Sequence, residues 1–188
     1  RNVFIGEEAG SIGTTTSYSV GIGRESLKNA TGDNNTAVGY VALKGLTSGE
    51  SNTAVGRSAM TGVVTGDNNT AVGYGAGAAI TSGASNNGVG KSALSSNQTG
   101  NNNAAFGESA LAANTGSDNV AIGHEALAAN TSGEDNVAIG YKTLDANTTA
   151  SHNTAVGSKA LGANTTGTQN NAFGSQSLVA LTTGSYNC

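Results

Sequence analysis

Acid–base or metal chemistry in this chain would have to come from His124 and His152, the only histidines among 188 residues, or from 12 Asp and Glu side chains. Catalysis needs such groups converging on one point. The two histidines fall at different phases of the repeat described below and have no cysteine near them, so they read as surface histidines that are solvated or locally satisfied. Glu7-Glu8 and Glu134-Asp135 are carboxylate pairs, but neighbours on an extended chain point to opposite sides and do not form the convergent pair of a glycosidase. Cys188 is the only cysteine, which excludes an intrachain disulfide and a cysteine-based zinc cluster. Asp33, Glu50 and Asp67 share one turn position in successive repeats, and stacking would bring them about 5 Å apart, a spacing that calls for solvent, salt or a cation. The column fails at Ala84 and Asn101, and the Gly-Gly-x-Gly-x-Asp calcium repeat is absent, so solvated turn carboxylates are expected. No catalytic, cofactor-binding or metal-ligating residue is assigned, and the chain reads as a non-enzyme without a cofactor.

A column of variable side chains is the better candidate for function. Directly after a recurring glycine stand Glu7, Arg24, Tyr40, Arg57, Tyr74, Lys91, Glu108, His124, Tyr141, Ser158 and Ser175. Tyr40, Arg57 and Tyr74 are successive, with Lys91 and Tyr141 further along. Together they form an aromatic and cationic stripe of the kind that stacks on sugars or anchors a protein partner. The plainer alternative is that the tyrosines cover strand backbone and guard an edge.

The element that would position this column is a short repeat. The glycines Gly6, Gly23, Gly39, Gly56, Gly73, Gly90, Gly107, Gly123, Gly140, Gly157 and Gly174 are spaced by 17 residues, with two intervals of 16. Counting each unit from four residues before that glycine, position 1 is Asn in every unit but the one beginning at Ser19. Position 3 is small except at Phe4, position 4 is always apolar, and position 9 is Leu or Met in most units. Helical repeats need about 33 residues, and Gly, Asn and Thr at this density disfavour helix. Around position 4 the pattern has period 2, with Val120 and Ile122 on one face and Asn119 and Ala121 on the other, as in a strand. Glycines at positions 5 and 15, flanked by Asn, Asp and Ser, supply turns. The expected fold is all-β: a parallel β-solenoid, left-handed and β-roll-like, of eleven coils of about 17 residues, with two short strands and two turns per coil. One solenoid domain covers residues 1–188, as a segment of a longer fibre protein.

In stacked coils equivalent residues stand in columns about 4.8 Å apart. Positions 4 and 9 are expected to fill the interior, and the position-1 Asn residues to form a ladder of side-chain amides. A second ladder is expected at Asn97, Asn114, Asn130, Asn147 and Asn164 in position 12, replaced by Leu46, Val63, Ile80 and Leu181 elsewhere. The two short units run normally through Leu27 and Leu111, so their missing residue should come out of the following turn. Ala and Gly at position 3 and Ala or Ser at position 8 are expected to leave a flat, uncharged outer surface on which copies of the rod pack side by side. Gly10 and the Thr14-Thr15-Thr16 run set the first unit apart as a cap or junction.

Composition excludes several other classes. Charged residues are 11% and aromatic residues 4% of the chain, and the net charge is only −4, too low for a typical disordered chain. The eight basic residues are scattered, which argues against nucleic-acid binding. No run of about 18 apolar residues exists to insert in a membrane. Asn-x-Ser/Thr sequons at Asn97, Asn130, Asn147 and Asn164 are expected by chance in so Asn- and Thr-rich a chain.

The unit running from Asn153-Thr154-Ala155-Val156-Gly157 to Gly167 resembles repeats of bacteriophage tail fibres and bacterial surface fibres, and Asn119-Val120-Ala121-Ile122-Gly123 is similar to the head repeats of trimeric autotransporter adhesins. The resemblance implies a left-handed parallel β-roll wound as a homotrimer, extracellular, on a bacterial surface or a virion tail fibre. Those head repeats are shorter, so the second half of the coil must differ here. The expected function is a structural and adhesive fibre segment that presents variable side chains for multivalent binding to a host or prey cell-surface glycan or protein. The alternatives are a passive rigid spacer and an ice-binding solenoid. The last is disfavoured because adjacent threonines such as Thr148-Thr149 point to opposite faces and the Thr36, Thr53, Thr70 column stops at Asn87.

Overall fold

The computed structural model describes residues 1–11 and 16–188; Thr14 and Thr15 of the threonine run lie outside them. Each repeat contributes one three-residue strand: β1 Val3–Ile5, β2 Val20–Ile22, β3 Thr36–Val38, β4 Thr53–Val55, β5 Thr70–Val72, β6 Asn87–Val89, β7 Ala104–Phe106, β8 Val120–Ile122, β9 Val137–Ile139, β10 Thr154–Val156 and β11 Asn171–Phe173. They pair in parallel and in chain order into one eleven-stranded sheet, so the chain is a parallel β-solenoid. Register is in phase with the repeat, as in Thr53↔Thr70, Ala54↔Ala71 and Val55↔Val72.

Both 16-residue units keep that register, pairing Val20 with Thr36 and Ala104 with Val120. The residue is lost where the sequence predicts. The Asn114 carboxamide donates to Gly116 O, two residues on, whereas those of Asn97 and Asn130 donate to Gly100 and Gly133, three residues on. Ala30 and Gly32 show the same shortening.

The far side of the coil is not a second strand. Positions 7 and 9 are left-handed, as at Glu125 (φ 56°) and Leu127 (φ 50°), and this wraps the chain through consecutive turns. Left-handed backbone is unfavourable for Leu. It is held here because it directs the position-9 side chain inward, where Leu27, Leu43, Leu94, Leu111, Leu127, Leu144 and Leu161 are fully buried.

Which strand face is buried differs from expectation. Position 3 lies inside, with Ala37, Ala54, Ala71, Ala105, Ala121, Ala138 and Ala155 wholly inaccessible, and so does position 8, with Ala42, Ala59, Ala93, Ala110, Ala126 and Ala160. Position 4 lies outside: Ile22, Ile122, Ile139 and Phe106 are 37–43% exposed and Phe173 is 69% exposed. The reason is alternation combined with the needs of Asn. The position-1 carboxamide finds its partners inside the coil, which puts position 3 inside and positions 2 and 4 outside. The flat outer surface expected from positions 3 and 8 therefore does not exist; the outward face is a ridge of Val, Ile and Phe flanked by the position-2 column.

The interior takes one large side chain at or near position 9 and at most one more around position 12, as with Leu43 and Leu46 or Met60 and Val64. In the first coil the ring of Phe4 fills the space beside Gly10, where an added Cβ would lie 2.7 Å from it. Around Gly77 the space is taken by Ile80 and Met60. The same limit corrects one position-12 assignment: Val63 is 60% exposed and Val64 is buried in line with Leu46 and Ile80. Leu181 is only partly buried.

Two asparagine ladders run through this interior, as expected. Asn119 Oδ1 accepts the backbone N–H of Asn136 (3.1 Å) and its side-chain amide (3.1 Å). Asn119 Nδ2 donates to the carbonyls of Ser117 (3.0 Å) and Gly133 (2.9 Å). The carboxamides of Asn130, Asn147 and Asn164 likewise donate to Asn114, Asn130 and Asn147. Glycine backbones close the corner: at Gly56 (φ 134°) an added Cβ would stand 2.5 Å from Gly73 O.

Replacing Asn119 by Ala would leave several buried backbone groups unpaired, each at a cost of about 1–3 kcal/mol. N119A is expected to lose on the order of 3 kcal/mol of stability in urea unfolding, whereas N87A, on the exposed outer face of β6, loses little.

Candidate functional site

The position-6 column is built by the sheet. After the position-5 glycine the chain leaves the strand, and the carbonyl of each position-6 residue accepts the position-7 N–H of the next coil: Ser58 N–H to Tyr40 O, Gly75 to Arg57, Ser92 to Tyr74 and Lys159 to Tyr141. The backbone is thereby held at one spacing while every side chain of the column projects into solvent. Tyr40, Tyr74 and Tyr141 are 45%, 52% and 47% exposed. The structure thus brings Tyr40, Arg57, Tyr74 and Lys91 into one line, with Tyr141 further along it.

The geometry within the line changes the chemistry expected of it. The Arg24 guanidinium lies 5.9 Å from the Tyr40 ring centre, and that of Arg57 lies 5.7 Å from both Tyr40 and Tyr74. Tyr40 therefore has a cation from the coil on either side of it, a favourable arrangement for a ring face. The Tyr40 ring is thus flanked and offers a ligand its edge and phenol hydroxyl beside the guanidinium N–H groups, whereas Tyr74 has a cation contact from Arg57 alone. Tyr141 differs: His124 stacks on it at 5.6 Å and 18°, Lys142 Nζ lies 5.8 Å from its centre, and the next member of the column is the short Ser158.

Most cations here are neutralised within the chain. Arg24 pairs with Glu7 (3.2 Å) and Glu25 (3.7 Å), Lys28 with Glu8, and Lys44 with Glu25. Lys91 pairs with Glu108 at 2.8 Å and Lys142 with Glu125 at 3.0 Å. Hydrogen bonding to Glu108 raises the Lys91 ammonium above its ordinary pKa and lowers the Glu108 carboxyl. Among the described residues, Arg57 has no carboxylate within ion-pairing distance. Sequence periodicity found the column but not this difference, although the carboxylates that pair with Arg24 and Lys91, Glu7 and Glu108, stand one coil away in the same column while Arg57 has tyrosines on both sides.

Other candidate groups are used locally. His124 faces Glu125 (3.8 Å) and His152 faces Asp135 (3.6 Å), in separate columns. The carboxylate column is part of a turn-binding column that the sequence reading did not recognise. Asp33 accepts the Ser17 N–H, Asp67 the Glu50 N–H, Asn101 the Ala84 N–H, and Ser151 the Glu134 N–H. The signal was an oxygen-bearing side chain two residues before the next position-1 Asn. Among the described residues no three His, Cys, Asp or Glu side chains are grouped to hold a metal ion. The sequon residues Asn97, Asn130, Asn147 and Asn164 are fully buried with their amides bonded, so a glycosyltransferase would not reach them. Among the described residues no helix is long and apolar enough to cross a membrane.

Comparison of the chain with protein-family models, curated proteins and solved structures finds no match.

Glu25 ties Arg24 to Lys44 at the start of the stripe, and hydrogen bonding to Lys44 lowers its carboxyl pKa, opposed by desolvation and helped by Lys28 and Arg24. A lowered folded pKa stabilises above the unfolded Glu value of about 4.3, and that contribution is lost as pH falls through the lower folded value. E25Q should therefore melt below the unmodified chain at pH 7, with the difference closing in the acid range below about pH 4. Thermal melts across pH check this.

Proposed function

We propose that this chain is a non-enzymatic structural and adhesive segment of an extracellular fibre, assembled from copies of itself and displaying the position-6 column for multivalent contact with a cell surface. The observation that carries the reading is the combination of a near-uniform hydrogen-bonded scaffold with a continuously exposed position-6 column whose side chains vary from coil to coil. A rigid array of this kind lets weak contacts act together, because each bound group raises the effective concentration of the next.

Assembly is supported by the outward sheet face. Positions 2 and 4 form two parallel columns along eleven strands, a strip of roughly 50 by 10 Å from strand spacing and rise. Its position-4 column is apolar throughout, with Ile122, Ile139 and Phe106 among the exposed members. This apolar column is bordered by a position-2 column that is polar at Thr36, Thr53, Thr70, Asn87, Thr154 and Asn171, and exposed apolar surface continuous along a rod is a surface that another copy can cover. Copies in axial register would bury it ridge against ridge. A homotrimer is the arrangement implied by the resemblance to trimeric fibre repeats. The face also gives no flat threonine array for ice: Thr36, Thr53 and Thr70 are followed by Asn87.

Light scattering should give three times the 18.3 kDa chain mass, and the double variant I122E/I139E should give the monomer mass while keeping its circular dichroism. A monomeric unmodified chain contradicts the assembly. Rods in which Tyr40, Arg57, Tyr74 and Tyr141 are replaced by Ser should lose attachment to cells; full retention favours the passive spacer.

A further inference from the structure

The column alternates strictly where it is richest: Arg24, Tyr40, Arg57, Tyr74, Lys91. With one residue per coil, cations recur every second coil, about 9.6 Å apart. Arg57 is the central one and differs from the outer two. Arg24 and Lys91 each face a carboxylate, whereas Arg57 faces none and is held midway between two tyrosines at 5.7 Å from each ring centre. An exposed guanidinium steadied by aromatic neighbours and lacking an internal counter-ion is prepared for an external planar anion, which it can engage through two parallel N–H donors. The phenol hydroxyls of Tyr40 and Tyr74 stand on either side as further donors. Beside Arg57 the position-7 column is Ser58 and Gly75, so no bulky side chain keeps an extended ligand off the rod.

We propose that this stretch binds an extended acidic polysaccharide, lying parallel to the rod axis, with one carboxylate or sulfate on every second sugar. The two-coil interval sets the anion spacing: two coils match about two sugar units of an extended chain, so one acid per disaccharide places successive anions at Arg24, Arg57 and Lys91. Arg57 takes its anion directly, while Arg24 and Lys91 share theirs with Glu7 and Glu108. The tyrosines sit beside the intervening sugars as hydrogen-bond donors, since at least Tyr40 has cations on both sides. A neutral sugar polymer has nothing for the guanidinium and is rejected. This takes from the adhesive reading only that the position-6 column meets a ligand.

The test is titration calorimetry of the assembled rod with a hyaluronan decasaccharide, which carries one carboxylate per disaccharide, against a neutral N-acetylglucosamine oligomer. Hyaluronan should bind, more weakly as salt rises, and the neutral oligomer should not. R57Q should bind hyaluronan roughly tenfold or more weakly, with its circular dichroism unchanged and only a small fall in melting temperature from the lost contacts to Tyr40 and Tyr74. The double variant R57Y/Y74R keeps composition and charge but breaks the two-coil interval, and it should lose as much. Equal binding of the two oligomers, no binding of hyaluronan, or unmodified affinity in either variant overturns the inference. Attachment to cells, measured in parallel, separates the two readings. Attachment by rods that bind no acidic oligosaccharide overturns this inference and leaves adhesion standing. Oligosaccharide binding by rods that attach to no cell supports the inference and removes adhesion.

Discussion

The structure depends on the carboxamide of the position-1 asparagine. Each one accepts the backbone N–H of its counterpart in the next coil, most accept its side-chain amide as well, and each donates to a turn carbonyl 13 or 14 residues on, as Asn35 does to Gly49 and Asn103 to Gly116. A coil too small for a conventional core thereby satisfies its own corner in its interior. Buried polar groups are costly unless bonded, so the ladder tolerates no shift in register and only a side chain that keeps the acceptor. Where Ser19 stands in for Asn, its hydroxyl still accepts the Asn35 N–H, at 3.1 Å.

From that constraint the distribution of side chains follows. Asparagine inside puts alanine inside with it and turns valine and isoleucine outward. The left-handed turns of the far side then admit one leucine per coil. The rod hides small residues and presents large ones, so its apolar face is free for assembly while the corner beyond the glycine is free to vary. Scaffold and display surface are separated within a single unit, and residues such as Arg57 and Tyr74 can differ from Ser158 and Ser175 without disturbing the stack.

Much of this was legible in the sequence. The period placed every strand, the Asn columns, the turn that loses a residue and the exposed position-6 column. Alternation showed that Asn119 shares a face with Ala121 and Ile122 with Val120, but period 2 does not say which face is inside. Size favoured isoleucine; hydrogen bonding favoured asparagine, and hydrogen bonding decided it. The exchange of Phe4 for Gly10 within one coil was a usable signal of how little space the interior has. A second strand was expected where the chain in fact turns, because left-handed residues such as Leu127 and Lys142 carry no mark in their type. The contacts of the Tyr40 ring could be seen only in three dimensions, whereas the pairing of Arg24 with Glu7 and of Lys91 with Glu108 was already legible in the order of the column.

The ladder is tested most directly by hydrogen exchange of asparagine side-chain amides, resolved by NMR. The side-chain amide protons of Asn52, Asn69, Asn119, Asn136 and Asn153 should exchange as slowly as the strand backbone, and those of the exposed turn residues Asn34, Asn68 and Asn102 rapidly. Equal, rapid exchange in both groups would contradict a buried asparagine ladder and the in-register stack built on it.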